Sequence, residues 1–339
     1  MKQLFIALIL SLVSATVTVA QGQPDQLAPT LAEARTLINE GHPTAAIAKL
    51  RALPNPTDVS VTHLLGIAYY HANDHVRAIA QLAPIVEQLP PDSLQRREAI
   101  QILGLSHYLA GHIPESVPFL EQARAWSANN TELAYVLGLA YVQTHQPAKA
   151  RESFARMFRV APDSSAAHLL TAQMMIRLEF EEFAEAELKQ AIAKDPKFPQ
   201  AHYLLGQLAI FRARYDEGIA LMEREIEINP GFSMAYWRLG DAYTRQLKWD
   251  EAIPPLQKAI WLNPYFSGPF IILGKVYLKK KDLGNAEGML RQAAQMDPNN
   301  ASAHYLLGQV FQQTNRPEEA KREFALAEKL QGNSNRQEK

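Results

Sequence analysis

Cysteine is absent from all 339 residues, which excludes a disulfide framework, a thiolate metal site, an iron–sulfur cluster and a thiol nucleophile. An excess of either charge is missing as well: 34 Lys plus Arg oppose 35 Asp plus Glu, for a formal net charge of -1. Without a basic field, nucleic acid is not an expected partner. Catalytic signatures are also lacking, because no His-Glu-x-x-His, Gly-x-Ser-x-Gly or dinucleotide fingerprint occurs. The stretch from Gly268 to Lys275 imitates a phosphate loop, but five residues separate its glycines and Val276 stands where a magnesium-binding hydroxyl is required. His63, His71, Asp74 and His75 crowd together as conceivable metal ligands, yet a loop between two helices is expected to separate them. The chain therefore reads as a non-enzyme with no cofactor and no metal. With 47% apolar and 20% charged residues it can bury a core, and packing must hold that core together.

The first twenty residues stand apart in composition. Lys2 is the only charge before Asp25, and Leu4 to Val13 form an apolar run that relaxes through Thr16 and Thr18 into Ala20. This pattern predicts a secretory signal over 1–20, cleaved in preference to being kept as a membrane anchor, with a mature chain starting at Gln21 and a short linker over 21–26. A lipid anchor of the bacterial lipoprotein type would need the missing cysteine. Export without cysteine suits a bacterial periplasm or exterior, with no stable membrane insertion after cleavage.

The rest of the chain repeats. Gly104, Gly138, Ala172, Gly206, Gly240, Gly274 and Gly308 follow one another at 34 residues, and Gly66 leads by 38. Twelve positions after each comes a small residue (Ala78, Ser116, Ala150, Ala184, Gly218, Ala252, Ala286, Ala320), and four further on a bulky one (Leu82, Leu120, Phe154, Leu188, Met222, Leu256, Leu290, Phe324). Such a period means a solenoid of two helices per unit. Glycine inside a helix costs about 1 kcal/mol relative to alanine, so its recurrence predicts a close helix approach, with the small residue twelve positions on as its partner. Pro43, Pro147 and Pro317 are expected to open second helices, and Pro162, Pro196, Pro230, Pro264 and Pro298 to follow their ends. Pro84 is expected to kink a helix, whereas Pro118, Pro254 and Pro255 fall nearer a first turn. His168, His202 and His304 share one repeat position with Tyr236 and Phe270, which points to packing and not to catalysis.

These units carry Leu-Gly-x-x-Tyr (Leu65 to Tyr69, Leu137 to Tyr141, Leu239 to Tyr243, Leu273 to Tyr277), then Ala, a bulky apolar residue, and Asp-Pro or Asn-Pro. Together with segments such as Lys248 to Ile253, they resemble the tetratricopeptide repeat. The resemblance spans 27–330, with eight clear units and a shorter one, Leu27 to Leu53, before them, and leaves 331–339 as a disordered polar tail. It implies an all-α, right-handed superhelical solenoid of antiparallel helix pairs, about eight to nine repeats long. The unit around Ala172 is the most degenerate, and extra residues from Pro90 to Arg96 lengthen one connection.

The resemblance further implies a concave groove lined by first-helix residues three before, one after and four or five after the repeat glycine. Carried over residue by residue, these are Tyr135, Gln143, Gln173, Arg177, Tyr203, Gln207, Phe211, Trp237, Asp241, Arg245, Lys275, Lys279, Tyr305, Gln309 and Gln313. Aromatics interleaved with amides and charges suit an extended peptide, or equally a sugar chain. Trp237 and Arg245 are expected to be the strongest contacts, while Trp249 matches a structural position at the start of a second helix. The clamp by which chaperone-tail binders hold a carboxylate is lacking, since its lysine and asparagine places hold tyrosine, leucine, glutamine and isoleucine. The expected function is a non-catalytic scaffold or adaptor for a partner protein or peptide, with a module binding envelope polysaccharide or peptidoglycan as the alternative.

Overall fold

A computed structural model describes residues 27–337, and the expected signal 1–20 and linker 21–26 lie outside the described residues. Every regular element among the described residues is an α-helix, and the chain divides into two compact units, one ending at Pro162 and the other beginning at Asp163. The first unit comprises α1 (Leu27–Asn39), α2 (Pro43–Arg51), α3 (Val59–His71), α4 (His75–Leu82), α5 (Leu94–Leu109), α6 (Ile113–Trp126), α7 (Thr131–Gln143) and α8 (Pro147–Phe158). The second comprises α9 (Ser165–Arg177), α10 (Glu181–Lys194), α11 (Ala201–Phe211), α12 (Tyr215–Ile228), α13 (Ser233–Arg245), α14 (Trp249–Leu262), α15 (Ser267–Lys279), α16 (Leu283–Met296), α17 (Ala301–Gln313) and α18 (Pro317–Gln337). Each odd-numbered helix pairs with the even-numbered one after it, giving nine hairpins whose first is the short unit anticipated from Leu27 to Leu53.

Local chemistry accounts for the helix ends. Asp58, Asp74, Ser93, Asn130, Ser164, Asp282 and Asn300 cap the helices after them by accepting backbone N–H bonds that the first turn cannot satisfy internally. Pro43, Pro147 and Pro317 open α2, α8 and α18, and Pro196, Pro230, Pro264 and Pro298 stand two residues beyond the ends of α10, α12, α14 and α16. Pro84 does not kink a helix. It stops α4 at Leu82, and the chain continues in turns held by Ile85 N–H donating to the Leu82 carbonyl at 3.2 Å. Pro118, Pro254 and Pro255 sit inside α6 and α14, where each deprives one carbonyl of its usual donor. No proline punctuates the chain after Leu330, and α18 runs on to Gln337, so most of the expected tail continues the last helix.

The repeat glycines make room for the bulky residue sixteen positions on. A Cβ built on Gly138 would lie 2.5 Å from the Phe154 ring, and one on Gly308 would lie 2.6 Å from Phe324. The small residue twelve positions on plays a secondary part, as where the Ala252 carbonyl lies 3.3 Å from a Cβ on Gly240. Seven residues after that glycine position, every connection between paired helices enters the left-handed region. Gly111 occupies it in one hairpin, but Ala213, Leu247 and Lys281 occupy it in others, with φ of 59°, 61° and 65°. A β-carbon there costs roughly 1–2 kcal/mol. Leu247 is 67% exposed and contributes little packing in return. Leu247→Gly is therefore expected to raise stability by about 1 kcal/mol, read as a higher urea midpoint. A lower midpoint would show that the leucine side chain is worth more than its backbone strain.

Candidate functional site

The groove positions of the second unit project from α9, α11, α13, α15 and α17 as rows spaced four residues apart along each helix, hence on one face. The row nearest the helix N-termini is largely covered. Tyr203 is only 8% exposed and meets Phe232 edge-on, with ring centroids 5.0 Å apart at 79°. Trp237 is half-buried and meets Phe266 in the same way, at 4.8 Å and 88°, and the Arg238 guanidinium lies 4.0 Å over its ring. Gly268 permits this packing, since a Cβ there would lie 2.6 Å from Phe266 and 3.1 Å from Trp237. Two of the aromatics expected on an open surface, Tyr203 and Trp237, are thus closed over by the next repeat.

Tyr203 is also fixed through its backbone. Glu225 of α12, fully buried, accepts bonds from Gln200 N–H at 2.8 Å and Tyr203 N–H at 3.3 Å and so caps α11 from the neighbouring helix. Burial raises its carboxyl above the ordinary glutamate value, against the lowering effect of those two bonds.

In the middle row Gln173, Gln207 and Gln309 are half-buried and Lys275 is exposed. Asp241 is buried, accepting from Arg245 Nε at 3.1 Å with Arg238 at 3.9 Å. The open surface is the last-turn row: Arg177, Phe211, Arg245, Lys279 and Gln313 are all exposed, Phe211 by 74%. Tyr305 remains 49% exposed, 5.5 Å from Phe324.

The first unit fills its corresponding face with its own side chains. Tyr135 is half-buried at 6.4 Å from Phe154, and Gln143 donates to the Tyr108 hydroxyl at 3.2 Å. Arg35 of α1 holds Glu98 of α5 in a two-pronged pair at 2.6 and 2.8 Å. Buried His63 lies 3.5 Å from that carboxylate and bonds the Gln95 carbonyl at 3.0 Å. Burial holds its pKa down, with Glu98 opposing.

Asp74 caps α4, so the histidines around it are divided between a helix end and a helix start. Among the described residues no group of three or more His, Asp or Glu could hold a metal ion. His168 and His304 are buried against Glu187 and Glu323, nineteen residues on, at 2.7 and 2.6 Å. His202 has Leu221 at that place, and burial followed by Arg224 lowers its pKa.

The aromatic covers were not anticipated, although the sequence marks them. Phe198, Phe232 and Phe266 recur at 34 residues, each two positions after a proline, and the register then gives Asn300.

Models described as tetratricopeptide repeat match the chain in two sets, one over 107–174 and 277–337 and the other over 176–231 and 208–265, together well over half of its length. No curated protein sequence matches. Similar solved structures include MamA from residue 41 onward of Desulfovibrio magneticus RS-1, 19% identical over 50% of this chain and 96% of that one, with a TM-score of 0.46. YrrB, titled a TPR protein with an unusual peptide-binding site, is 19% identical over 55% and 94%, with a TM-score of 0.45. PilF of Pseudomonas aeruginosa is 20% identical over 57% and 88%, with a TM-score of 0.47.

Proposed function

This chain is a tetratricopeptide repeat protein, and from that premise we propose that it is a non-catalytic scaffold holding a partner protein or peptide in extended form along the first helices of its second unit. The observation that carries this reading is the open last-turn row, which presents one exposed side chain per repeat from Arg177 to Gln313. Extended peptides repeat their own groups at short intervals, and cations, amides and one bare aromatic ring can meet backbone carbonyls, carboxylates and an apolar side chain in turn. A glycan would call on a run of open ring faces, and with Tyr203 and Trp237 covered only Phe211 and Tyr305 of the second unit's groove rings are open, on α11 and α17 with α13 and α15 between them. Peptide is therefore favoured over polysaccharide.

Arg177→Ala with Phe211→Ala tests the row without disturbing the core, since both residues are exposed. Arg245 is a poorer choice because removing it leaves buried Asp241 short of its nearest cation. A protein captured from envelope extract by the native chain should bind the double variant at least about tenfold more weakly, with an unchanged melting temperature. Equal capture by both would refute the assignment.

A further inference from the structure

Resting on that reading, we propose that the inner face between α15 and α17 is an acidic-peptide site, taking an aliphatic side chain into an apolar floor and the peptide's Asp or Glu side chains onto Lys275 and Lys279. An open depression of ≈ 420 Å³ lies there, with Ile271, Ile272 and Leu306 as its floor and Lys275, Lys279 and Tyr305 at its rim. Among the described residues no carboxylate lines it.

Its openness follows from the repeat register. Phe232 closes over Tyr203, and Phe266 closes over Trp237. The next residue in that series is Asn300, whose side-chain oxygen is spent accepting from Ala303 N–H at 3.2 Å to cap α17. Ile271, which holds the place of Tyr203 and Trp237 in its own repeat, has no phenylalanine at the covering position. From Phe198 onward the depression is thus the step where a cover is replaced by a helix cap, as Asn130 and Ser164 cap helices at the same register earlier in the chain.

Charge points the same way. Lys275 and Lys279 stand one turn apart on α15, both exposed, and neither has an ion-pair partner among the described residues. Neighbouring cations are engaged: Lys280 with Asp250, Arg245 with Asp241, and Arg316 with Glu287 and Glu319. Two like charges at this spacing repel, and a carboxylate placed between them removes the repulsion while gaining two attractions. A neutral peptide would use the floor and leave the lysines as they are, whereas an acidic one uses both.

A random dodecapeptide library, displayed with its C-termini fused to the coat protein so that only side-chain acids are offered, is selected against the immobilised full chain and against its Lys275→Glu, Lys279→Glu variant. Peptides enriched on the native chain should carry Asp or Glu beside Leu, Ile or Val. A synthetic peptide of the enriched sequence, with both ends blocked, should bind the variant at least tenfold more weakly, and regain affinity for it when its acids are exchanged for lysine. The two lysines are exposed, so the melting temperature should not move. Enriched peptides without acids, or with affinities indifferent to the charge reversal, overturn this site. If Arg177→Ala with Phe211→Ala abolishes their binding, the groove reading survives that failure. A selection that enriches no peptide overturns both.

Discussion

Truncating Trp237 to alanine is expected to cost about 3 kcal/mol of stability, the lower end of the range for losing a large aromatic, because its ring is half-buried and not fully so. The loss has two parts. Apolar area returns to water on α13, and the edge-on contact with Phe266 at 4.8 Å disappears. Urea unfolding followed by circular dichroism reads the total. A cycle with Phe266→Ala should return a coupling of about 1 kcal/mol for the ring pair alone. If the midpoint holds while partner affinity collapses, Trp237 is a contact residue after all, as its groove position first implied. Trp249→Ala is the companion measurement, since Trp249 packs against the cluster of Ala252, Leu256, Leu273 and Val276 and should lower stability with no effect on binding per folded molecule.

Glu185→Ala is expected to cost about 3 kcal/mol, because it strips a nearly buried carboxylate from three cations. Glu185 accepts from Arg212 and Arg214 at 2.8 Å each and from Lys189 at 2.8 Å, tying α10 to the following hairpin. Lys189 and Arg214 hold its carboxyl at about 2, below the ordinary 4.5, against the opposing effect of burial. A depressed folded value means that the unfolded chain binds the extra proton. The stabilisation is therefore complete above pH 4.5 and is lost as pH falls toward 2. This pH-dependent part of the total, discounted for the partial exposure of the cations, is about 2 kcal/mol. Acid titration should show native stability falling through that window while the variant, already weaker at neutral pH, falls less. Parallel losses in the two proteins would show that the cluster contributes nothing beyond proximity.

Hairpin number, helix starts at prolines and the glycine register were legible in the sequence because each rests on one residue type at one period. Less legible was anything decided by two residues in different repeats. Tyr203 and Trp237 occupy groove positions by register, but whether their rings face solvent depends on Phe232 and Phe266, twenty-nine residues on. Arg35 and Glu98 sit 63 residues apart, and no periodicity connects them. Pro84 was misplaced for a simpler reason, since a proline that ends a helix and one that bends it look alike until the following backbone is seen to turn.

The aromatic covers give the array a direction. Tyr203 and Trp237 are each finished by a residue of the following repeat, so deleting that repeat is felt one repeat upstream of the cut. Inserting or removing a whole period, cut just after a covering phenylalanine, leaves each of these two rings a lid of the same kind. A cut within a period strands one ring in water. Growth of such a chain by duplication is thus neutral at one phase of the repeat and costly at the others, and that phase is set by Phe232 and Phe266 and not by the glycines.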